Sequence, residues 1–405
     1  MDDNLLYWIW LTVVFGPANP RKWAVLSHFG DVKECHAALS RGQSPLLTEQ
    51  ERRSLKAAEL EKCEKLLAYC TKKHITIYCF DSPDYPEPLQ EIYNPPAVLF
   101  AYGALSAQQD LLSVGAVGAR NPSDYSLRVC EALCGALAQN GVTVVSGFAA
   151  GVDTCAHRAA IAAGGRTIAV LGAGLEYDYP KGTTDFKREI AQNGAVISEY
   201  FPGHKPAYTD FKARNRILSG ISRGVAVIEA STTSGSLNTV SHALSQSRDV
   251  FCVPPHDVFD RRYAGMGDLL RDGAIPLMSA EDILFEYGDR FRTLEGFPAR
   301  PEDRRVKSEE MRALFSDLAV RDEFPENKRT RADEASAPAQ PAAVLPDDAT
   351  PLARAVWDCL KERPMHTDEL AAALDADITD IFTELTELEL TGAVQSLAGN
   401  RYAAL

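Results

Sequence analysis

From about residue 113 onward, short apolar runs alternate with longer segments in which apolar residues recur at helical spacing. The short runs are continuously apolar, which is typical of strands that helices cover on both faces. The predicted strands, in chain order, are SVGAV, VTVVS, TIAVL, AVIS, VAVIEA and DVFCV. The helices predicted between them span 125–139, 154–163, 184–192, 211–218 and 237–246. We therefore predict an α/β fold with a doubly wound, parallel, Rossmann-like core over residues 111–290.

The segments before this core have a different pattern. Residues 1–75 contain short helical patterns separated by polar turns, which predicts an N-terminal helical domain. Residues 76–110 contain one short strand pattern, within HITIYCF, and then five prolines between positions 83 and 96. Because proline excludes long helices, we expect 76–110 to be an extended connector that leads into the core.

The segments after the core separate a linker from a last small domain. Residues 300–348 are charged and then rich in Ala and Pro, as in a flexible linker. Within residues 350–405, helical patterns at 352–360, 367–374 and 379–390 precede two short strand patterns. Three helices followed by a hairpin is the order of a winged helix, and we predict that domain here.

The N-terminus and the cysteines indicate a cytoplasmic protein. The apolar run Leu5–Phe15 follows Asp2 and Asp3 rather than positive charge, and it is shorter than the roughly 20 residues that span a bilayer. We expect a buried first helix and no membrane association. The nine cysteines are scattered and contain no CxxC pair, so we interpret them as small core residues in a reducing compartment. No metal site and no cofactor is predicted.

Charge is distributed unevenly along the chain. The chain carries a formal net charge of −14, which by itself argues against a nucleic-acid partner. Residues 108–282, however, contain 16 Lys and Arg against 18 Asp and Glu, whereas residues 301–405 contain 12 against 22. The acidity therefore lies mainly in the tail. One stretch of the core holds five cations around Asp210 alone, and is a candidate phosphate-facing patch: Lys205, Lys212, Arg214, Arg216 and Arg223.

Three glycine-containing loops follow predicted strands and supply candidate phosphate contacts. The first contains Gly118 and Arg120, where the backbone approaches a ligand closely and a guanidinium adds a bidentate contact. The second, SGFAAGVD, runs from Ser146 to Asp153, and the third, SGSLNT, starts at Ser234. A single such loop is explained by a tight strand–helix turn. Three loops on the same edge of one sheet favour an anion site.

Several catalytic motifs are excluded or set aside. The chain has no GxxxxGK[ST] and no GxGxxG at the start of the core. Residues 220–224 match GxSxG, but a helix precedes them and a strand follows, which is the reverse of a nucleophile elbow. His157 lies in an apolar helical pattern, and we interpret it as a packed residue rather than an acid or base. We assign no catalytic residue.

The order of these motifs resembles the DprA/Smf family of DNA-processing proteins. The resemblance is carried by VGARNPSDYS, VVSGFAAGVDTCAHRAA, LGAGLEYDYPKG, FKARNRILSG and IEASTTSGSLNTVSHAL, and it covers about 180 residues, from Leu111 to near Leu284. It implies a homodimer that binds single-stranded DNA, protects it, and helps to load the RecA recombinase in natural transformation. The helical domain, of the SAM-like type, and the winged helix also suit that family's longer members.

The resemblance also implies site residues. Arg120 and Lys181 are expected to contact phosphates. Lys212, Arg214, Asn215 and Arg216 are expected to line the same groove, with Ser234, Gly235 and Ser236 as the anion loop. From the glycine loops and the cationic stretch themselves we add Gly118, Ser146, Gly147 and Lys205, and as candidate stacking residues Tyr208 and Phe211. The alternative for Arg214 and Arg216 is a structural salt bridge, and the alternative for Phe211 is a place in the core. Ala150 stands where the family usually has Arg, which puts one basic contact in doubt.

The predicted winged helix has an unusual charge for a duplex reader. Residues 350–405 contain 4 Lys and Arg against 10 Asp and Glu, and the third helix has four acids and no base. A recognition helix of this charge would be repelled by phosphates. We therefore expect the domain to mediate protein contacts or self-association.

Two other functions remain open at the level of sequence. The core also resembles nucleotide hydrolases of the Lonely Guy type, which carry PGGxGT followed by a catalytic glutamate. Here the corresponding loop, Ser234–Ser236, has no acid in the next turn, and Glu229 ends the preceding strand instead. The other alternative, a purely structural dimerisation scaffold, leaves the glycine loops and the cationic stretch unexplained.

Overall fold

A computed structural model of the chain describes residues 4–42, 47–288, 349–374, 376–390, 393–397 and 401–404. The described residues fall into two units, the first ending before the charged segment and the second following it. The predicted linker over 300–348 lies outside the described residues.

The first unit is built on a nine-stranded, mostly parallel sheet. Its strands are β1 Thr76–Cys79, β2 Val98–Gly103, β3 Ser113–Gly118, β4 Thr143–Ser146, β5 Thr167–Leu171, β6 Gly194–Ser198, β7 Gly224–Glu229, β8 Asp249–Cys252 and β9 Ile275–Pro276. They are ordered β1-β2-β6-β5-β4-β3-β7-β8-β9 across the sheet. Every pair from β6 to β9 is parallel, and only β1 and β2 are antiparallel to their neighbours. The predicted Rossmann-like core is confirmed.

Helices connect and cover these strands. Those before the core are α1 Leu5–Phe15, α2 Arg21–Leu26, α3 Val32–Ser40, α4 Glu49–Ala57, α5 Leu60–Lys72 and α6 Glu87–Gln90. Those within it are α7 Asp124–Gln139, α8 Val152–Ala162, α9 Thr184–Gln192, α10 Tyr208–Ile221, α11 Ser236–Ser245, α12 Ala264–Arg271 and α13 Ala280–Gly288, with a short 3₁₀ helix at Arg261–Tyr263. The five helices predicted within the core are all present. Helix α10 is longer than predicted at both ends, since it also includes Tyr208–Asp210 and Ser219–Ile221.

The helices α1–α5 are not a separate domain, since they share a hydrophobic core with the sheet. Side chains alternate between faces along a strand. Phe100 and Leu171 therefore pack with Trp8 and Trp10 of α1, while the neighbouring Leu99 enters the core on the opposite face. The sequence explains this arrangement, because α1 is apolar on all sides and such a helix must be covered all round.

The segment 76–110 differs from the predicted connector. It contributes β1, α6 and β2, and β2 pairs with β6 of the core sheet. The five prolines lie between the two strands rather than within them, so they interrupt no ladder of hydrogen bonds. All nine cysteines fall in described residues; none forms a disulfide, and seven of them are buried.

The second unit is a winged helix, as predicted. It consists of α14 Pro351–Glu362, β10 Met365–His366, α15 Thr367–Leu374, α16 Ile378–Leu390, β11 Val394–Leu397 and β12 Arg401–Ala404. The last two strands form the expected hairpin, and β10 adds a third strand beside β12 that was not predicted. Val356, Leu370, Ile381 and Leu385 are fully buried at its centre.

Candidate nucleic-acid interface

The loops after β3, β4, β5 and β7 meet at one edge of the sheet, because these strands are parallel. Strand β3 lies between β4 and β7, so the connections that follow β3 and β7 diverge there. Such a switch point is where open parallel sheets bind ligands. Two adjoining cavities open at this edge, and together they form what we call the rim cleft.

The first cavity of the rim cleft has a volume of about 390 Å³. It lies between the turn after β3 and the first turns of α10 and α11. Ten of the predicted binding residues line it: Gly118, Arg120, Gly147, Phe211, Lys212, Arg214, Asn215, Ser234, Gly235 and Ser236. Tyr208, Asn238 and Thr239 line it as well.

The second cavity, of about 380 Å³, extends from the first toward the loop after β5. It adds Tyr179, Pro180 and Lys181 to the lining, while Arg120 and Phe211 border both cavities. The cleft therefore brings together residues that are separated by more than 100 positions in the sequence.

Two glycines allow the loop after β4 to lie against the charged groups of the cleft. A Cβ atom on Gly147 would lie 2.7 Å from both the Arg214 guanidinium and the Asp153 carboxylate. Gly151 has φ +80°, and a Cβ there would lie 2.5 Å from the carbonyl oxygen of Ala119. The glycines of the SGFAAGVD motif are thus required by close packing.

The loop that opens α11 has the features of an anion site. The hydroxyl oxygens of Ser234 and Ser236 lie 2.7 Å apart. Helix α11 begins at Ser236, and the first N–H groups of a helix favour negative charge. The side chain of Asn215 donates a 3.1 Å hydrogen bond to Asn238, which ties α10 to α11 at this point.

An aromatic pair lines the second cavity. The ring centroids of Tyr179 and Phe211 are 5.2 Å apart, and Phe211 packs on the backbone of Gly172. Tyr179 was not among the residues predicted to bind, although it stands two residues before Lys181 in the same loop. Tyr208 is largely exposed, with the Lys212 ammonium 5.3 Å from its ring centroid. Aromatic faces beside cations are the features that single strands bind.

Arg214 lies at the floor of the cleft and is almost fully buried. Its guanidinium donates hydrogen bonds to the carbonyl oxygens of Gly147, at 2.7 Å, and Val170. Burial lowers its pKa to about 10, so it remains charged at neutral pH. Burial also raises the pKa of the nearby Asp153 carboxyl, and Arg214 opposes that rise.

Arg216 does not line the cleft, which corrects the sequence prediction. Its guanidinium pairs at 2.8 Å with the buried carboxylate of Glu199, and the ammonium of Lys22 approaches the same carboxylate at 3.3 Å. Positions 214 and 216 are two apart on a helix, so their side chains leave α10 in different directions. The predicted alternative, a structural salt bridge, applies to Arg216.

Ser146 and Lys205 also lie outside the cleft lining. The Ser146 side chain is buried, and its hydroxyl donates a 2.6 Å hydrogen bond to the carbonyl oxygen of Ala116. Lys205 is exposed in the loop before α10 and is not among the residues that border either cavity.

The loop 172–183, which holds Tyr179 and Lys181, is held in place by hydrogen bonds from α9 and α5. The buried ammonium of Lys187 donates a 2.6 Å hydrogen bond to the carbonyl oxygen of Tyr177, and burial lowers its pKa. Glu176 accepts a 2.6 Å hydrogen bond from the Tyr69 hydroxyl of α5. The N-terminal helices therefore position a loop of the cleft.

Two residues considered for catalysis are committed to structural roles. The buried carboxylate of Glu229 accepts hydrogen bonds from the backbone N–H and the hydroxyl of Ser123, both at 2.9 Å. His157 is buried, as predicted, and one ring nitrogen lies 2.7 Å from the Thr167 hydroxyl. Burial lowers the pKa of His157 to about 3, so it is neutral at physiological pH.

Within the ranges that the structure describes, no group of three or more His, Cys, Asp or Glu is arranged to hold a metal ion. None of the described helices has the length and hydrophobicity that crossing a membrane requires.

Two family models match the chain. The first, described as DNA recombination-mediator protein A, matches residues 76–288, and the second, a DprA winged helix domain, matches residues 337–400. Protein Smf of Synechocystis is 35% identical over 325 residues, which cover 80% of this chain and 78% of the relative. DNA processing protein DprA of Bacillus subtilis is 38% identical over 255 residues, which cover 61% and 86%. The X-ray structure of DNA processing protein A from Streptococcus pneumoniae superposes with a TM-score of 0.59 at 30% identity, over 68% of this chain and 95% of that one.

Proposed function

Because the chain belongs to the DprA/Smf family of DNA-processing, recombination-mediator proteins, we propose that it binds single-stranded DNA in the rim cleft and performs no chemistry on it. The observation that carries the proposal is the convergence of Arg120, Lys181 and the Ser234–Ser236 loop at one edge of the sheet. These groups come from separate loops, and they offer cations and helix N–H groups to a common space.

In this proposal, each part of the rim cleft has its own role. Arg120 and the Ser234–Ser236 loop hold phosphates in the first cavity. Lys181 holds a phosphate in the second, where Tyr179 and Phe211 stack with bases. Phosphate contacts and base stacking both tolerate any sequence, so we expect little base preference.

We further propose a cytoplasmic homodimer that protects incoming strands and helps to load the RecA recombinase during natural transformation. The resemblance to the DprA/Smf family supports these roles. A mediator must release its strand to the recombinase, and a cleft that depends on phosphate contacts suits such a transfer because the affinity responds to competing cations.

We expect the change Arg120→Ala to weaken oligo-dT binding about fivefold at 0.1 M salt and to make the negative slope of log K against log salt less steep by about 0.7. The physical reason is that the variant makes one phosphate contact fewer, so that binding releases fewer of the counterions condensed on the strand. The measurement is fluorescence anisotropy of labelled oligo-dT across a series of NaCl concentrations.

Arg53→Ala is the matched control for this titration, since Arg53 is exposed and pairs with Glu49 on α4, away from the cleft. It should leave both affinity and slope unchanged. Wild-type protein that ignores oligo-dT but hydrolyses nucleoside monophosphates would replace the proposal with the hydrolase alternative.

The winged helix is proposed to bind protein rather than duplex DNA. Asp380, Glu384 and Glu389 all lie on α16, the helix that would enter the major groove. Because these acids repel phosphates, the triple change to Ala should leave the affinity of the full-length protein for a duplex unchanged or raise it, and should not lower it. A duplex affinity that depends on the domain at 0.1 M salt would contradict this role, and deletion of residues 350–405 provides that comparison.

A further inference from the structure

The loop between β8 and the 3₁₀ helix exposes two adjacent apolar side chains. Phe259 is 91% exposed and Val258 is 74% exposed. A single exposed hydrophobic residue is ordinary on a protein surface. Here, however, a large aromatic side chain stands at the tip of a loop on the edge of the sheet that carries the rim cleft, because β8 is parallel to β7.

The loop is held in a defined shape. The backbone N–H of Phe259 donates a 2.8 Å hydrogen bond to the Asp257 carboxylate. The Asp260 carboxylate accepts hydrogen bonds from the backbone N–H of Arg262, at 2.9 Å, and from its guanidinium, at 2.6 Å. A tip fixed in this way presents Phe259 with little loss of conformational freedom on binding.

The loop and the two helices that follow it, the 3₁₀ helix and α12, lie against the turns of the cleft. The His256 ring lies 4.9 Å from that of Tyr125, in the first turn of α7. The Tyr263 hydroxyl lies 2.7 Å from that of Ser123, three residues after Arg120. On the other side, a Cβ on Gly265 would lie 2.7 Å from the carbonyl oxygen of Ser231, which starts the loop containing Ser234.

We propose that this loop is a second base-stacking platform, with Phe259 as the contact residue, so that the bound strand continues along the sheet edge from Tyr179 and Phe211 past Arg120 to Phe259. This inference rests on the proposed function and extends it. A nucleobase is the chemistry that fits, since it offers a flat apolar face to the exposed ring while its phosphates stay in water or near the exposed Arg261.

A strand must have a minimum length to reach both stacking sites. Between β5, whose loop carries Tyr179, and β8 there are four strand spacings, or about 19 Å. At about 3.4 Å per nucleotide, as in a stacked strand, that distance corresponds to about six nucleotides. Strands shorter than this engage the cleft alone, and longer strands reach Phe259 as well.

The test is a length series of oligo-dT from three to fifteen nucleotides, measured with wild type, Phe259→Ala and Phe259→Trp. We expect Phe259→Ala to bind the short strands as wild type does and to bind strands above about six nucleotides about tenfold more weakly. Phe259→Trp should keep the increase in affinity that the wild type shows for longer strands. Tyr93→Ala is the matched control, because Tyr93 is 84% exposed but lies between α6 and β2, and it should behave as wild type.

The outcomes separate this inference from the function on which it rests. If wild type binds oligo-dT in an Arg120-dependent manner and Phe259→Ala matches it at every length, the second platform is refuted and the cleft stands. The second platform is likewise refuted if Phe259→Ala changes only self-association. If wild type binds no oligonucleotide of any length, the proposed function itself fails.

Discussion

Replacing Glu199 with alanine is expected to lower the free energy of unfolding of the α/β unit by about 3–5 kcal/mol. The Glu199 carboxylate is buried between two buried cations, Arg216 of α10 and Lys22 of α2. Its removal leaves both positive charges in the interior without a counter-charge, which costs far more than the pair itself contributes. Urea unfolding followed by tryptophan fluorescence measures the change, since Trp8, Trp10 and Trp23 lie in this unit.

The control for this experiment is Asp185→Ala, which removes an exposed acid from a pair with Arg188 and should cost no more than about 0.5 kcal/mol. The double change Glu199→Gln with Lys22→Met should be less destabilising than the sum of the single changes, because it removes a charge of each sign. Additive effects would mean that the two groups are not coupled.

The same carboxylate predicts the pH dependence. Burial opposes ionisation of Glu199, but Arg216 and Lys22 outweigh it and leave the pKa below the ordinary value of about 4.5. The ionised pair therefore stabilises the fold above that pH, and this contribution is lost as the pH falls through the lower folded-state pKa. Glu199→Gln should lack this part of the loss of stability at low pH. The prediction is contradicted if its free energy of unfolding falls on acidification in the same way as that of the wild type.

The change Arg214→Met is expected to destabilise the α/β unit by about 3–5 kcal/mol and to weaken oligo-dT binding in the folded fraction. Two buried carbonyl oxygens, of Gly147 and Val170, lose their donor, and Asp153 loses the cation beside it. Because the folded-state pKa of Asp153 then rises further above its unfolded value, the penalty is greatest at neutral pH and shrinks on acidification, as Asp153 becomes protonated.

Unfolding measurements at pH 7 and pH 5 would test this behaviour, with Arg188→Met as the control for loss of an exposed guanidinium. Arg214→Lys should recover part of the stability but not all of it, since an ammonium cannot reproduce the planar array of donors of the guanidinium. If the loss of stability in Arg214→Met is the same at both pH values, the Asp153 carboxylate does not interact electrostatically with Arg214.

The parallel core and its candidate binding edge could be predicted because their signal is local. Continuous apolar runs marked the strands, and the motifs after them placed Arg120, Lys181 and Ser234 on the same edge once the strands were taken as parallel. Parallel strands bring their carboxyl ends together whatever the side chains are, so the prediction required no long-range contact to be known.

The residues placed wrongly depend on contacts that a linear sequence does not contain. Arg216 looks like its neighbour Arg214, and only their partners distinguish them: Glu199, just after β6, for Arg216, and the carbonyl oxygens of Gly147 and Val170 for Arg214. Strand β2 and its place in the core sheet were missed because the prolines before it made a short apolar run look like part of a connector. Tyr179 was missed because its pairing with Phe211 joins the loop after β5 to helix α10, and the sequence pattern does not reveal that contact.

The core that α1 shares with the sheet limits how the protein can be altered by recombination between relatives. An N-terminal segment exchanged from another member would meet Phe100 and Leu171 on a strand surface shaped for Trp8 and Trp10. Interior packing tolerates few mismatches of volume, so the two surfaces must change together. We therefore expect the first 75 residues to be inherited as one block with the sheet, while the winged helix, which has its own core, is the natural unit of exchange.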